Sequence, residues 1–127
     1  MNREIKFRAW DKENKKMKYN ITGIEYGNGD GNINGIFIDG DIYEIEKIEL
    51  MQYTGLHDKN GKEIWENDIV EITREGIYEK GIIIFKNGCF FIKSKENLLA
   101  LYNCELNNYK VKVIGNITDN PELLGGE

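Results

Sequence analysis

Hydrophobic and polar residues alternate at period two from residue 4 to residue 10 of the chain. The apolar positions of residues 4–10 are Ile5, Phe7 and Ala9, and the opposite face carries Glu4, Lys6, Arg8 and Trp10. Such alternation is typical of a strand with one buried face. After polar residues 11–15, period two resumes at Met17, so the first twenty residues are predicted to form a β-hairpin.

The pattern from residue 27 to residue 53 is less regular. Glycine and asparagine crowd residues 27–35, which predicts a long loop before the apolar run at residues 36–38. Residues 42–50 fit both helical and strand spacing, and the sequence leaves the two open. The β-branched content favours a strand from about Ile48.

Short apolar runs separated by turn residues fill the rest of the chain. Asn87-Gly88 between two β-rich runs predicts a two-residue hairpin, because both positions tolerate positive φ. Ser94 is expected to cap one helical turn, residues 109–117 to form a last strand, and residues 122–124 a terminal helical turn after Asn120-Pro121. Four or five short strands between residues 68 and 117 favour a small barrel of the SH3-like type.

The predicted architecture is therefore mainly β: an N-terminal hairpin and sheet region at 1–50, an SH3-like barrel at 51–120, and a tail at 121–127. Composition supports this architecture, because the 127 residues include 19 of the β-branched Ile, which favours strands, but only 8 Leu and 2 Ala, which favour helices. No window approaches the length of a membrane span and no apolar leader is present, so the expected compartment is the cytoplasm.

Charge is unevenly distributed along the chain. The net charge of −5 divides into +4 for residues 1–20, −10 for residues 21–79 and +1 for residues 80–127. A basic strip is predicted on the first hairpin, formed by Lys6, Arg8, Trp10, Lys16 and Lys18. It is a candidate surface for a protein partner, or for nucleic acid as the alternative. The apolar face with Ile5 and Phe7 must be buried, and a homo-oligomer interface is the favoured way to bury it.

Residues with catalytic potential are scarce. The chain has one His, one Ser, three Arg and two Cys without a CxxC spacing, which does not supply a hydrolase triad, a zinc pattern or a redox motif. Asp58 and Asp68 are expected to act in turns and caps. Residues 30–41 match part of a calcium loop from Asp30 to Asp41, but Asp41 is a poor substitute for the usual bidentate Glu, so a plain loop is favoured. We expect no enzyme activity, no metal and no cofactor.

Three segments carry a resemblance to a known family. They are Arg3-Glu4-Ile5-Lys6-Phe7-Arg8-Ala9-Trp10-Asp11; Met51-Gln52-Tyr53-Thr54-Gly55-Leu56 continuing through Asp58-Lys59-Asn60-Gly61-Lys62-Glu63-Ile64; and Val113-Ile114-Gly115-Asn116-Ile117 with Asn120-Pro121-Glu122-Leu123-Leu124. In this order they resemble the YopX family of phage and prophage proteins. The resemblance implies SH3-like barrel domains, phages of low-GC Gram-positive bacteria, and no assigned activity. Asn67 stands where the family commonly has Gly, which predicts a left-handed conformation there.

The function expected from these observations is that of a small phage-encoded module without enzyme activity, which binds proteins or takes part in an assembly. Its expected partners are other copies of itself and a host or phage protein. Nucleic acid is the alternative partner, and no membrane association is expected.

Overall fold

The computed structural model describes residues 4–27, 29, 31–104 and 107–124. The chain is mainly β, as predicted, and it divides into two compact units, Met1–Gln52 and Tyr53–Glu127. Among the described residues no helix is long and apolar enough to cross a membrane.

The first unit contains a hairpin and a three-stranded sheet. Its strands are β1 (Phe7–Asp11), β2 (Lys16–Lys18), β3 (Ile21–Tyr26), β4 (Ile33–Ile38), β5 (Asp41–Glu44) and the start of β6 (Ile48–His57), with a 3₁₀ turn at Ile45–Lys47. The predicted hairpin is confirmed: β1 and β2 are antiparallel, with Asp11 opposite Lys16. β1 also pairs with residues 48–52 of β6, and β3, β4 and β5 follow one another in the second sheet.

Two expectations for this unit are resolved by the strand bounds. The predicted loop at 27–35 is too long, because residues 33–35 already belong to β4. Gly35 fits a central strand because the backbone of β5 approaches closely: a Cβ there would lie 3.1 Å from the carbonyl oxygen of Tyr43. Residues 42–50, for which the sequence left helix and strand both possible, form the rest of β5, then the 3₁₀ turn, then the start of β6. β6 begins at Ile48, as predicted.

The second unit is built on a five-stranded antiparallel sheet. After the rest of β6 come β7 (Glu63–Trp65), β8 (Asp68–Arg74), β9 (Ile77–Lys86), β10 (Cys89–Ser94), β11 (Leu98–Ala100) and β12 (Lys110–Asn116), with 3₁₀ turns at Leu101–Asn103 and Pro121–Leu123. The sheet order is β11-β10-β9-β8-β12, and the sheet curls into half a barrel. Its core is the buried cluster Ile64, Val70, Ile72, Ile83, Ile92, Leu101, Cys104, Val111 and Val113.

Local turn predictions in this unit had mixed outcomes. Asn87 and Gly88 have φ of 52° and 82° and Asn67 has φ of 71°, so the hairpin and the left-handed position are both confirmed. The helical turn predicted after Ser94 is wrong. The Ser94 hydroxyl does accept the N–H of Asn97 (3.2 Å), but the chain then enters β11, where Leu99 pairs with Ile92 of β10. The terminal helical turn is confirmed and begins one residue early, at Pro121.

Candidate interaction surfaces

The predicted basic strip on the first hairpin is only partly a surface. Lys16 is exposed, Lys6, Trp10 and Lys18 are half-buried, and the Lys6 Nζ lies 3.5 Å from the Glu4 carboxylate. Arg8 is 3% exposed, and its Nε donates a hydrogen bond to the Met51 sulfur at 3.3 Å. The expectation that Arg8 lies on an exposed face is therefore wrong.

The physical reason is the position of β1 in its sheet. β1 lies between β2 and β6, and both its faces are covered, since Ala9 is fully buried and the adjacent Arg8 nearly so. Strict alternation predicts a strand with one solvent-exposed face. A central strand can nevertheless bury a polar side chain when that side chain has hydrogen-bond partners. The apolar face is also less uniform than predicted: Ile5, just before β1, is 55% exposed, whereas Phe7 is half-buried.

The segment that partly matches a calcium loop, for which a plain loop was favoured, falls partly outside the described residues, because Asp30 is not among them. Of its other positions, Asn34 and Gly35 lie in β4 and Asp41 begins β5. In the described part of the chain, no three His, Cys, Asp or Glu side chains come together as a metal site would require.

The two buried carboxylates of the second unit serve the fold. The Asp58 Oδ1 accepts the N–H groups of Asn60 and Lys62 (2.8 and 2.9 Å), and its Oδ2 accepts the buried N–H of Val113 (2.9 Å). Burial raises the pKa of Asp58, but these N–H donors outweigh it, so the pKa is lower than its usual value. Asp68 accepts the Trp65 N–H at 2.8 Å. These bonds agree with the predicted turn and cap roles.

Asp58 also protects the free edge of the sheet. β12 is an edge strand, and its outer side is covered by the 58–62 turn: Val113 donates to the Asp58 carboxylate and the Lys59 N–H donates to the Val111 carbonyl at 2.9 Å. A long unpaired edge invites pairing with another chain. The turn therefore closes this side of the sheet to a partner strand.

His57 and Cys104 line one cavity of about 410 Å³ in the second unit, together with Tyr102 and Tyr109. A cysteine nucleophile needs its thiolate, but burial raises the pKa of the Cys104 thiol, whose sulfur donates to the Ala100 carbonyl. The thiol is therefore held neutral and packs as part of the core. Cys89, by contrast, begins β10 and is exposed.

A groove on the second unit was missed by the sequence analysis. It forms where β9 changes partners: β9 pairs with β8 through residues 77–82 and with β10 through residues 81–86. Gly81 is the crossing point, and a Cβ there would lie 2.6 Å from the Ile92 Cγ2. Before that point, among the residues that the structure describes, β8 is the only strand beside β9. A glycine inside a strand is the sequence signal that could have marked this place.

The groove has a volume of about 790 Å³ and a mixed lining. Its residues are Tyr78, Glu79, Lys80, Gly81, Ile82, Lys93, Ser94, Lys95, Glu96 and Leu124. The Glu79 carboxylate accepts the Asn97 amide at 3.1 Å, and the Lys80 Nζ donates to the Leu123 carbonyl at 3.1 Å. The side chains of Glu79 and Lys80 are thus anchored, whereas Ile77 and Tyr78 at the start of β9 are 76% and 65% exposed.

Comparison with known proteins gives a consistent picture. A family model described as "YopX protein" matches residues 6–125. A crystal structure of protein EF1440 from Enterococcus faecalis is 28% identical with a TM-score of 0.75, covering 97% of this chain and 99% of that one. A crystal structure of protein yopX from Bacillus subtilis is 24% identical with a TM-score of 0.65, covering 93% and 96%, and shows the likeness of fold alone. No curated protein matches.

Proposed function

This chain belongs to the YopX family, and from that premise we propose that it is a non-enzymatic module that binds proteins or takes part in an assembly. In this proposal it is encoded by a phage or prophage, acts in the cytoplasm of the bacterial host, and needs no cofactor. Its partners are other copies of itself and a host or phage protein.

The observation that supports protein binding most strongly is a pair of exposed apolar side chains at the start of β9, beside the groove. Ile77 and Tyr78 are adjacent on β9, and both project most of their side-chain surface into solvent. Tyr78 also lines the groove. Tyrosine is enriched at binding interfaces, where the ring supplies apolar area and the hydroxyl remains hydrated.

Affinity capture from phage-infected host lysate tests this proposal. The tagged chain is compared with an Ile77→Asp/Tyr78→Asp variant, each with and without nuclease treatment. We expect a protein that the wild-type chain retains, the variant loses, and nuclease does not release. An identical set of captured proteins with both chains contradicts the proposal, provided that the variant has the wild-type circular dichroism spectrum.

Self-association is the second part of the proposal, with Ile5 and Phe7 as the candidate interface. Ile5 is 55% exposed, and an exposed apolar residue beside a basic hairpin can contribute affinity while the charges set the partner choice. Light scattering at micromolar concentration, at low and high salt, measures the mass of wild type, Ile5→Asp and Phe7→Asp. We expect an oligomer that dissociates in folded variants; a monomer throughout the wild-type series refutes it.

Nucleic acid is the second candidate partner, by way of the hairpin strip. We rank it lower because Arg8 is buried and Lys6 is paired with Glu4, which leaves fewer cations for phosphate. Titration of labelled DNA and RNA at about 50 mM salt tests this ranking, because phosphate contacts weaken steeply as salt rises. A salt-sensitive complex that Lys16→Glu/Lys18→Glu abolishes would reverse it.

A further inference from the structure

We infer that the start of β9 is a docking edge for an acidic, extended peptide segment of a partner protein, which adds to the sheet as a strand. The inference rests on the proposed protein-binding function and specifies the site, the geometry and the chemistry of the partner. It is carried by the strand pairing, by the groove and by the charges that line the groove.

The hydrogen-bonding pattern of the β8–β9 hairpin shows which backbone N–H and C=O groups of β9 point away from β8. Its turn consists of two residues, Glu75 with φ of 51° and Gly76 with φ of 82°. The residues on either side of the turn, Arg74 and Ile77, are paired with each other. In such a turn the flanking pair is hydrogen-bonded, and hydrogen-bonded pairs recur at every second residue. Ile77 therefore directs its N–H and C=O toward β8, and Tyr78 directs its own away from β8.

Independent evidence supports this alternation. The Ile83 carbonyl, an odd-numbered position like Ile77, accepts the N–H of Asn67 on the β8 side at 2.9 Å. On the other side β10 ends at Ser94, opposite Gly81. Within the described part of the chain, no strand lies beside Tyr78 on the side away from β8. An extended peptide can occupy this position and bond to the Tyr78 backbone, as in β-strand addition.

The groove favours an acidic peptide. Three lysines, Lys80, Lys93 and Lys95, stand against two glutamates in its lining, although the whole chain has a net charge of −5. Glu79 accepts a hydrogen bond from the Asn97 amide and Lys80 donates one to the Leu123 carbonyl, so the remaining charges of the lining are Lys93, Lys95 and Glu96, a net charge of +1. The strand end is therefore locally cationic on an acidic protein, and it steers acidic segments toward the edge.

The charges disfavour one pairing of β9 with a second copy of itself. In the antiparallel register that places Tyr78 of each copy opposite Lys80 of the other, Glu79 would face Glu79 directly. Like charges directly opposite one another destabilise a strand pair. An acidic segment of another protein places its carboxylates near Lys93 and Lys95 and avoids this repulsion.

Fluorescence anisotropy with a synthetic peptide tests the inference. The probe is a fluorescein-labelled eight-residue peptide in which valine or threonine alternates with glutamate, capped at both ends. Three control peptides are compared with it: one with lysine in place of glutamate, one that is N-methylated at alternate amides, and one that is N-methylated at the other amides. Binding of the acidic probe is expected to be at least about tenfold tighter than that of the lysine peptide, and one of the two N-methylated peptides is expected to lose binding.

Protein variants locate the site. Lys93→Glu/Lys95→Glu should weaken the binding of the acidic probe by about tenfold. Lys86→Glu, at the far end of β9, should leave the affinity for the probe unchanged. Tyr78→Pro removes an N–H that points away from β8, so it should abolish binding while the β8–β9 pairing is kept; Tyr78→Phe should bind like wild type.

The outcomes separate this inference from the broader function. Equal binding of the acidic and lysine peptides, or full binding of both N-methylated peptides, refutes edge docking even if lysate capture yields a partner. A protein partner whose capture survives Tyr78→Pro supports the proposed function and overturns the site. Mutual binding of two copies through β9, detected as loss of oligomers in Tyr78→Pro, overturns the choice of occupant.

Discussion

Asp58→Ala is expected to destabilise the second unit strongly, because one carboxylate joins two distant segments. It accepts N–H groups from Asn60 and Lys62 in its own turn and from Val113, 55 residues away. Hydrogen bonds to a charged group contribute about 1.5–3 kcal/mol each when the donor is buried, and less when water can replace them. With the buried Val113 donor at about 2 kcal/mol and the two turn donors at about 0.5 kcal/mol each, the expected loss is about 3 kcal/mol.

Urea denaturation followed by tryptophan fluorescence measures how much free energy of unfolding Asp58→Ala loses. Trp65 is 6% exposed and packs on Tyr53 with ring centroids 5.4 Å apart, so its emission reports on the second unit. A Trp10→Phe background removes the signal of the first unit. The expected loss corresponds to a fall in Tm of about 10 °C for a chain of this length.

The neighbouring Lys59→Ala is the matched control. Lys59 bonds to Val111 through its backbone N–H, which alanine retains, and its side chain is exposed. Its free energy of unfolding should therefore change by less than about 0.5 kcal/mol. Asp58→Asn should lie between wild type and Asp58→Ala, since an amide keeps one acceptor oxygen and presents an N–H₂ group to the other donors.

The effect should also depend on pH in a defined direction. The pKa of Asp58 is lowered in the folded state, so its carboxylate contributes stability above the unfolded pKa of about 3.9, and this contribution is lost as pH falls through the folded value. The difference between wild type and Asp58→Ala should therefore be full at pH 7 and smaller at pH 3. A loss below about 1 kcal/mol at pH 7, or a difference that grows on acidification, refutes the reasoning.

Three further predictions test other features of the chain. Gly81→Ala should lower the free energy of unfolding, measured by urea denaturation, by about 1–3 kcal/mol, because the new Cβ would lie 2.6 Å from the Ile92 side chain. An unchanged urea midpoint would contradict the close contact between Gly81 and Ile92. Cys89 is exposed and Cys104 is buried with a raised pKa, so a thiol reagent should modify one cysteine in the native protein and the second only in urea; rapid reaction of both in buffer would show that the core is open. Millimolar calcium should leave Tm unchanged, whereas a site with a dissociation constant near 10 µM would add about 2.7 kcal/mol, and a rise that Asp30→Ala removes would reveal such a site.

Features that depend on a few neighbouring residues could be predicted from the sequence. The Asn87-Gly88 hairpin and the terminal turn at Pro121 each depend on the backbone angles that one or two residues prefer, whereas the left-handed Asn67 is predicted from the glycine that the resembled family commonly has at this position. The mainly β character follows in the same way from the excess of β-branched and aromatic residues. Local preference was sufficient at the hairpin and at the terminal turn because each connects residues that are close together in the chain.

Tertiary structure alone decided which strand faces are buried and which edges are open. Arg8 is buried because Met51, 43 residues away, lies beside it, and the outer side of β12 is closed because Asp58 reaches Val113. Ser94 leads into a strand because β10 offers a partner edge to residues 98–100. A period-two pattern states that side chains alternate between faces, but strand order determines what covers each face and each edge, and that order depends on contacts between residues far apart in the chain.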